Sequence, residues 1–371
     1  MKYANDKRTV LTLDAGGTNF VFSAISGNKE VVQAVCLPSN ANNLNLCLQT
    51  IKDGFTAVKQ QLKQEPSAIS FAFPGPADYP NGIIGDLANL PAFRGGIPLG
   101  AMLEELFKIP VYINNDGDLY AYGEALAGYL PYINQLMEQM GNEKRFKNLV
   151  GFTLGTGFGA GIVRNEELFL GDNSNAAEVW LLRNRINPET NAEEGISIRA
   201  VKRVYAEIAK IDSNDCPEPK DIYEIGIGNK PGNREAAIEA FRQMAVVLGD
   251  AISHVLTLTD GIAIIGGGIA GAKSLILPAL LQEMRGNFVN YSGITYPRLA
   301  QTVCNLEDNN ELHTFLKGET KEILIPGTHR TQQYDAMKRL GIGFSKIGTS
   351  CAIAMGAYNF ALNKLDKYTD A

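Results

Sequence analysis

The sequence is short of several features, and each shortage closes off a class of function. Its 371 residues carry no excess of positive charge: 34 Lys and Arg stand against 40 Asp and Glu, a net charge of −6. A nucleic-acid surface needs clustered cations to replace phosphate counterions, so that partner is not expected. No apolar run approaches the roughly 18 residues of a membrane span. The polar start, Met1 to Arg8, leads straight into a strand-like run rather than a secretory signal. The five cysteines, Cys36, Cys47, Cys216, Cys304 and Cys351, never fall in Cys-x-x-Cys spacing. That pattern fits reduced thiols in a cytoplasmic protein. His254, His313 and His329 form no constellation, and Trp180 is the single tryptophan.

Glycine, by contrast, is abundant: 38 residues, against a usual share of about 7%. At roughly 100–200 residues per domain, the length suggests two or three domains. Strand-like runs at 9–14, 20–26, 30–37, 68–73, 110–114, 149–154, 159–164 and 261–265 alternate with helical patterns, which gives an α/β class. Helices are expected at 44–63, 99–107, 117–128, 196–210, 234–258, 274–288 and 350–365. The first places Leu44, Leu48, Ile51, Phe55, Val58 and Leu62 at helical spacing. Residues 129–148 read as an inserted helical excursion, and 307–335 as a charged, irregular insertion.

One plan occurs twice. Leu11-Thr-Leu-Asp-Ala-Gly-Gly-Thr18 and Phe152-Thr-Leu-Gly-Thr-Gly-Phe-Gly159 each read strand, glycine turn with threonine, strand. The repeat suggests two related domains with a ligand cleft between them. Phosphate oxygens need converging N–H donors, and backbone approaches them only where side chains do not intrude. A plain hairpin is the alternative for either turn alone. A dinucleotide fingerprint runs from strand into helix, and these turns return into strands. A near miss for a P-loop, Gly266-Gly-Gly-Ile-Ala-Gly-Ala-Lys-Ser274, has Ala272 where the pattern requires glycine. Its glycines suit a nucleotide base or ribose lying against a strand end, with simple strand-to-helix packing as the alternative.

Pro110-Val-Tyr-Ile-Asn-Asn-Asp116 sets three short polar residues where a buried strand meets a helix. A helix cap needs only one of them. Asp116 could accept a hydroxyl proton while Asn115 holds the same ligand, as sugar phosphorylation requires.

Together these pieces resemble the ROK family of sugar kinases, within the actin/hexokinase-like ATPase superfamily. The resemblance is carried by Leu13-Asp-Ala-Gly-Gly-Thr18, Pro74-Gly-Pro-Ala-Asp78, Asn81-Gly-Ile-Ile84 and Asn89-Leu-Pro91, followed by Asn115-Asp-Gly-Asp118 with Gly123-Glu124. Leu154-Gly-Thr-Gly-Phe-Gly159, Ala177-Glu178 and Ile265-Gly-Gly-Gly-Ile-Ala270 complete the order. It implies two related actin/hexokinase-like (ribonuclease H-like) domains around an interdomain cleft. These would be residues 1–120 plus 351–371, and residues 121–350. It implies ATP-dependent phosphorylation of a hexose or hexose derivative, glucokinase- or fructokinase-like, by a homodimer. Asp116 would be the base, with Gly75, Asn115, Glu178 and Glu193 on the sugar. Asp14, Gly16, Gly17 and Thr18 would face the ATP phosphates, Asp14 meeting Mg²⁺ through phosphate or water. Gly155, Thr156 and Gly157 would also face phosphate, and Gly267 and Gly268 the adenosine.

The chain departs from the family in one stretch. Most members continue Glu-x-Gly-His and then carry a cysteine-rich zinc motif. Here the run is Glu178-Val-Trp-Leu181, and no cysteine follows between Leu182 and Glu194, so no structural zinc is expected. The family's next sugar-contacting glutamate, four residues before a serine, falls on Glu193 before Ser197, with Glu194 adjacent. Ordinary first-turn helix acids are the alternative reading. The competing function is a ROK-type sugar-binding or regulatory protein without useful turnover. Family repressors carry a DNA-binding domain ahead of the first glycine turn, for which the residues before Asp14 are too few.

Overall fold

The computed structural model describes residues 1–369 apart from Gly17, Pro76, Ala88 and Asn89. The chain divides into two compact units. One comprises residues 1–131, 161–177 and 346–371; the other comprises residues 132–160 and 178–345. The first unit begins with antiparallel strands β1 (Val10–Ala15), β2 (Asn19–Ser26), β3 (Lys29–Glu30) and β4 (Val35–Pro38). Helix α1 (Leu44–Lys59) and strand β5 (Ala68–Ala72) follow. A small pair, β6 (Ala77–Asp78) and β7 (Ile83–Ile84), precedes α2 (Leu99–Phe107), β8 (Val111–Asn114) and α3 (Asp116–Leu126). The sheet order is β3-β2-β1-β5-β8, with β4 also on β2; β1, β5 and β8 are parallel.

Alternation along β1 decides which side chains face which core. Leu11 and Leu13 pack with Ile51 and Phe55 of α1 and with Leu103 and Phe107 of α2, whereas Val10 packs with Tyr358, Ala361 and Leu362. Those three lie on the C-terminal helix α10 (Thr349–Thr369). Small residues bring α3 and α10 close together: a Cβ on Gly123 of α3 would overlap the Ala352 carbonyl, and one on Gly356 the Leu119 carbonyl. Helix α1 starts at its cap Asn43, whose side chain accepts the Leu46 N–H at 3.1 Å.

Next come α4 (Tyr129–Gln139), β9 (Asn148–Leu154), β10 (Phe158–Arg164), β11 (Glu167–Leu168), α5 (Ile198–Ala209), α6 (Pro219–Gly226) and α7 (Arg234–Thr259). The chain continues through β12 (Ile262–Gly266), α8 (Lys273–Met284), β13 (Asn287–Val289), β14 (Thr295–Pro297) and β15 (Thr302–Asn305). Helix α9 (Asn309–Lys317), β16 (Thr320–Leu324), β17 (Thr331–Asp335) and β18 (Arg339–Phe344) complete it. The second large sheet runs β11-β10-β9-β12-β18-β15, with β9, β12, β18 and β15 parallel. The fold is therefore α/β with two mixed sheets. No described helix is long and apolar enough to cross a membrane.

Three expectations need correction. The segment 307–335 is not irregular: Asp308 caps α9, and β16 pairs with β17 as a hairpin. The helix expected over 274–288 stops at Met284, because Arg285 caps it and the chain turns at Gly286 into β13. The strand expected over 30–37 is broken into β3 and β4. Within 129–148 the helix exists, but Leu130, Ile133 and Met137 are buried, so its apolar face joins a core.

Candidate active site

In the first unit the sequence-predicted residues gather at one end of the parallel strands. Asp14 of β1 lies opposite Ala72 of β5, and Ala72 lies opposite Asn114 of β8. At strand spacings of about 4.8 Å this row spans roughly 10 Å. The carboxyl ends of parallel strands are where open α/β sheets bind ligands. Val10, Leu11 and Leu13 are buried, while Asp14 is exposed at the end of its strand. Gly16 lies in the turn to β2, where a Cβ would come within 2.7 Å of the Asn19 carbonyl oxygen. Thr18 is exposed and its carbonyl accepts the Ser39 N–H at 2.9 Å. Gly17 lies outside the described residues, as do Pro76 and Asn89 of the quoted motifs. Gly75, just beyond β5, is exposed and packs against Tyr79, whose hydroxyl donates to the Phe73 carbonyl at 3.0 Å.

The three polar residues after β8 have different environments. Asn114 is buried, and its amide nitrogen has no partner among the described residues. Asn115 is the N-cap of α3, its side-chain oxygen accepting the Gly117 N–H at 2.7 Å. That bond uses the amide oxygen, so its NH₂ is still able to donate to a ligand. Asp116 is the first residue of the helix and accepts the same Gly117 N–H at 2.8 Å. Its side chain is reached by solvent yet set among dense protein, and that desolvation raises the carboxyl above its ordinary value. The N–H groups of Gly117 and of Asp116 itself pull the other way, and the Asp14 charge adds to the rise. A carboxyl raised in this manner is a better proton acceptor once ionised.

In the second unit the two glycine turns meet. Gly266 lies opposite Thr153, and Gly267 has φ +92, with a Cβ position that would overlap the Leu154 backbone. Only glycine combines that conformation with so close an approach. The expected P-loop-like stretch forms a short 3-10 turn, Gly268–Ala272, and Gly268 faces open space. The turn of Gly155, Thr156 and Gly157 closes with the Gly155 N–H on the Gly157 carbonyl at 3.1 Å. It is held from outside as well. Ile198, at the start of α5, donates to the Gly155 carbonyl at 2.9 Å, and Phe158 donates its N–H to Glu193 at 3.0 Å.

Glu193 is half-buried, and its other oxygen pairs with Arg199 at 2.7 Å, a guanidinium that also takes Glu194 at 2.7 Å. Sequence reasoning missed the Phe158 contact, which joins residues 35 apart and has no local signal, and the Arg199 contact, which reaches back six residues from α5 to Glu193. Glu178 heads a short 3-10 turn, Val179–Leu181, and its exposed carboxylate accepts the Trp180 indole N–H. The two glutamate-bearing segments lie side by side, with the Ala192 N–H on the Leu182 carbonyl at 2.6 Å and a bridge between Arg183 and Asn191. Between them the chain is folded around Asn184, whose side-chain oxygen accepts the Ile186 and Asn187 N–H groups. This buried asparagine turn occupies the stretch where the family resemblance would place zinc ligands.

A cavity of about 420 Å³ elsewhere in this unit is lined by Arg185, Arg242, Glu283 and Arg298 and includes none of these residues. Its buried arginine is already paired, Arg298 bridging Asp250 and Glu283.

Two mixed α/β sheets, each with a glycine turn at the carboxyl ends of parallel strands, and a desolvated aspartate at a helix start fit a sugar kinase, the class that the similarity to glucokinases shows. The chain belongs to the ROK family, whose model matches residues 10–305. Its fold is similar to that of a glucokinase from Parabacteroides distasonis ATCC 8503, with 53% identity, a TM-score of 0.90, and coverage of 98% of this chain and 99% of that one. A glucokinase of Halalkalibacterium halodurans is 24% identical over 90% of this chain and 98% of its own length. An N-acetyl-D-glucosamine kinase of Vibrio parahaemolyticus is 26% identical over 69% of this chain and 83% of its own.

Proposed function

We propose that this chain transfers the γ-phosphate of ATP to a hydroxyl of a hexose, with glucose the leading acceptor. The observation that carries the reading is Asp116, a carboxylate raised by its surroundings at the carboxyl end of β8, in the same strand-end row as Asp14. In the reaction the sugar oxygen forms a bond to the γ-phosphorus in line with the departing ADP oxygen. Its proton passes to the Asp116 carboxylate. The electron pair of the broken phosphorus–oxygen bond leaves with ADP.

The remaining assignments follow from what each residue presents. The Asn115 amide donates to a sugar hydroxyl, and Gly75 leaves room for the sugar ring beside Tyr79. Glu178 accepts from sugar hydroxyls, and Glu193 does the same with the lone pairs that Phe158 and Arg199 leave. Gly16 and Thr18, together with Thr156 and Gly157, present backbone N–H groups to phosphate, Gly155 closing its turn beside them; the motif assigns Gly17 to the same task. Gly267 and Gly268 give the adenosine a surface without side chains. Mg²⁺ suits a lone exposed carboxylate plus phosphate oxygens, so Asp14 would hold it through water or phosphate; bound there it would neutralise developing phosphate charge.

No structural zinc is part of this reading, because the stretch from Leu182 to Glu194 has no cysteine and its turn closes on the Asn184 side chain. Apolar side chains exposed on the hairpins β13–β14 and β16–β17, among them Val289, Tyr296, Ile323 and Leu324, support a homodimer. Its five free cysteines suit a cytoplasmic setting.

The test is a coupled ADP-release assay with MgATP against hexoses, amino sugars and N-acetylated sugars. Turnover with glucose is expected. Binding of sugars without turnover on any of them would replace this reading with a sugar-binding or regulatory role.

A further inference from the structure

We infer that Trp180 is a positioning residue for sugar recognition, its indole N–H holding the Glu178 carboxylate in the orientation that accepts a sugar hydroxyl. The inference builds on the reading of Glu178 as a sugar ligand. Glu178 is exposed, and a free glutamate side chain there would lose rotamer freedom on binding. The Trp180 indole is the donor that restrains it, and no second side chain reaches that carboxylate among the described residues.

The geometry suits this task. Indole nitrogen is a donor only, so it occupies one carboxylate oxygen and leaves the other to accept from ligand. The bond is charge-assisted, which makes it stronger than one between neutral groups. The indole needs only two torsions to be fixed, and Val179, buried between the two residues, anchors the turn. The neighbour Leu181 is 59% exposed and offers no polar group. In a sequence without the histidine and cysteines of its relatives, the orientation of this carboxylate falls to the tryptophan.

Trp180 is also the one tryptophan in the chain, so its emission reports directly on Glu178. The experiment combines that signal with steady-state kinetics on glucose and ATP. Glucose alone should change the wild-type emission saturably. Trp180→Phe keeps an aromatic ring but loses the N–H, and should raise the glucose KM by about 10-fold, with kcat and the ATP KM nearly unchanged. Trp180→His restores a ring N–H and should recover part of that loss. Glu178→Gln should raise the glucose KM, and adding Trp180→Phe to it should raise it little further.

A wild-type glucose KM in Trp180→Phe, with Glu178→Gln impaired, overturns the positioning role alone. A wild-type glucose KM in Glu178→Gln overturns the reading of Glu178, and the positioning role with it. An equal loss for both substrates in Trp180→Phe, unrecovered in Trp180→His, assigns Trp180 a structural role instead. If Trp180→Phe does not fold, the wild-type emission decides: no saturable change at glucose concentrations that support turnover overturns the proposal.

Discussion

Phe158 donates its backbone N–H to the Glu193 carboxylate at 3.0 Å, an approach that the missing side chain of Gly157 leaves open. The residue between the turn and the acid is Gly157, where a Cβ would come within 2.5 Å of the accepting oxygen. One carboxylate thereby fixes the conformation of a turn assigned to phosphate, while Arg199 holds its other oxygen. The same glutamate is proposed to reach the sugar, so a single side chain would link the positioning of both substrates.

Gly157→Ala tests that link. The clash falls on the end of a flexible side chain, so Glu193 should swing away and the fold should survive. The ATP KM is expected to rise about 10-fold, from loss of a charge-assisted hydrogen bond. Melting should stay close to the wild type. Kinetics and thermal denaturation of the purified variant check both.

Asp116 makes stability and activity oppose each other. Its carboxyl titrates above the ordinary aspartate range, chiefly by desolvation, so the native state holds the proton more tightly than the unfolded chain does. The favourable contribution is complete below the unfolded pKa and is lost as pH rises through the raised native one. At pH 7 the ionised group is therefore a cost to folding, and Asp116→Asn should melt higher than the wild type. The gap should close in acid. In the active enzyme, kcat should fall on the acid side through that same raised value. Melting curves and a kcat–pH profile provide the checks.

Arg339 shows a charge whose removal should be costly. Its side chain is fully buried, donates to the Phe315 carbonyl at 2.5 Å and pairs with Asp335 at 2.7 Å. Burial pushes the Asp335 carboxyl up, but the bond and charge of Arg339, together with the Glu319 and Met337 N–H groups, outweigh it and hold the group below its ordinary range. That contribution is present above the unfolded aspartate pKa and lost as pH falls through the native one. Arg339→Ala strands a carboxylate and should cost about 3–5 kcal/mol. Chemical denaturation at neutral pH would reveal it, with a smaller difference in acid.

What the sequence made legible follows from locality. Glycine turns between strands, and polar residues at a strand end, are written in adjacent letters, so Asp14, Asn115, Asp116 and Gly155 to Gly157 could be picked out directly. Strand β18 carries Arg339 at its head, a charge that conceals a buried strand until its partners are known. Strands β16 and β17 are exposed along almost their whole length, so no alternation of apolar and polar residues marks them. Helix α6 has Pro219 at its first turn, a start signal that was readable and was missed. The Glu193 contact to Phe158 and the Trp180 contact to Glu178 depend on folded geometry, and no motif announces either.

The most direct test of the account is phosphate transfer from MgATP to glucose by the wild type and by Asp116→Asn. With Asp116 as the base, kcat in the variant should fall by about 10²–10⁴-fold while the fold is retained. A wild-type kcat in Asp116→Asn would contradict the central claim.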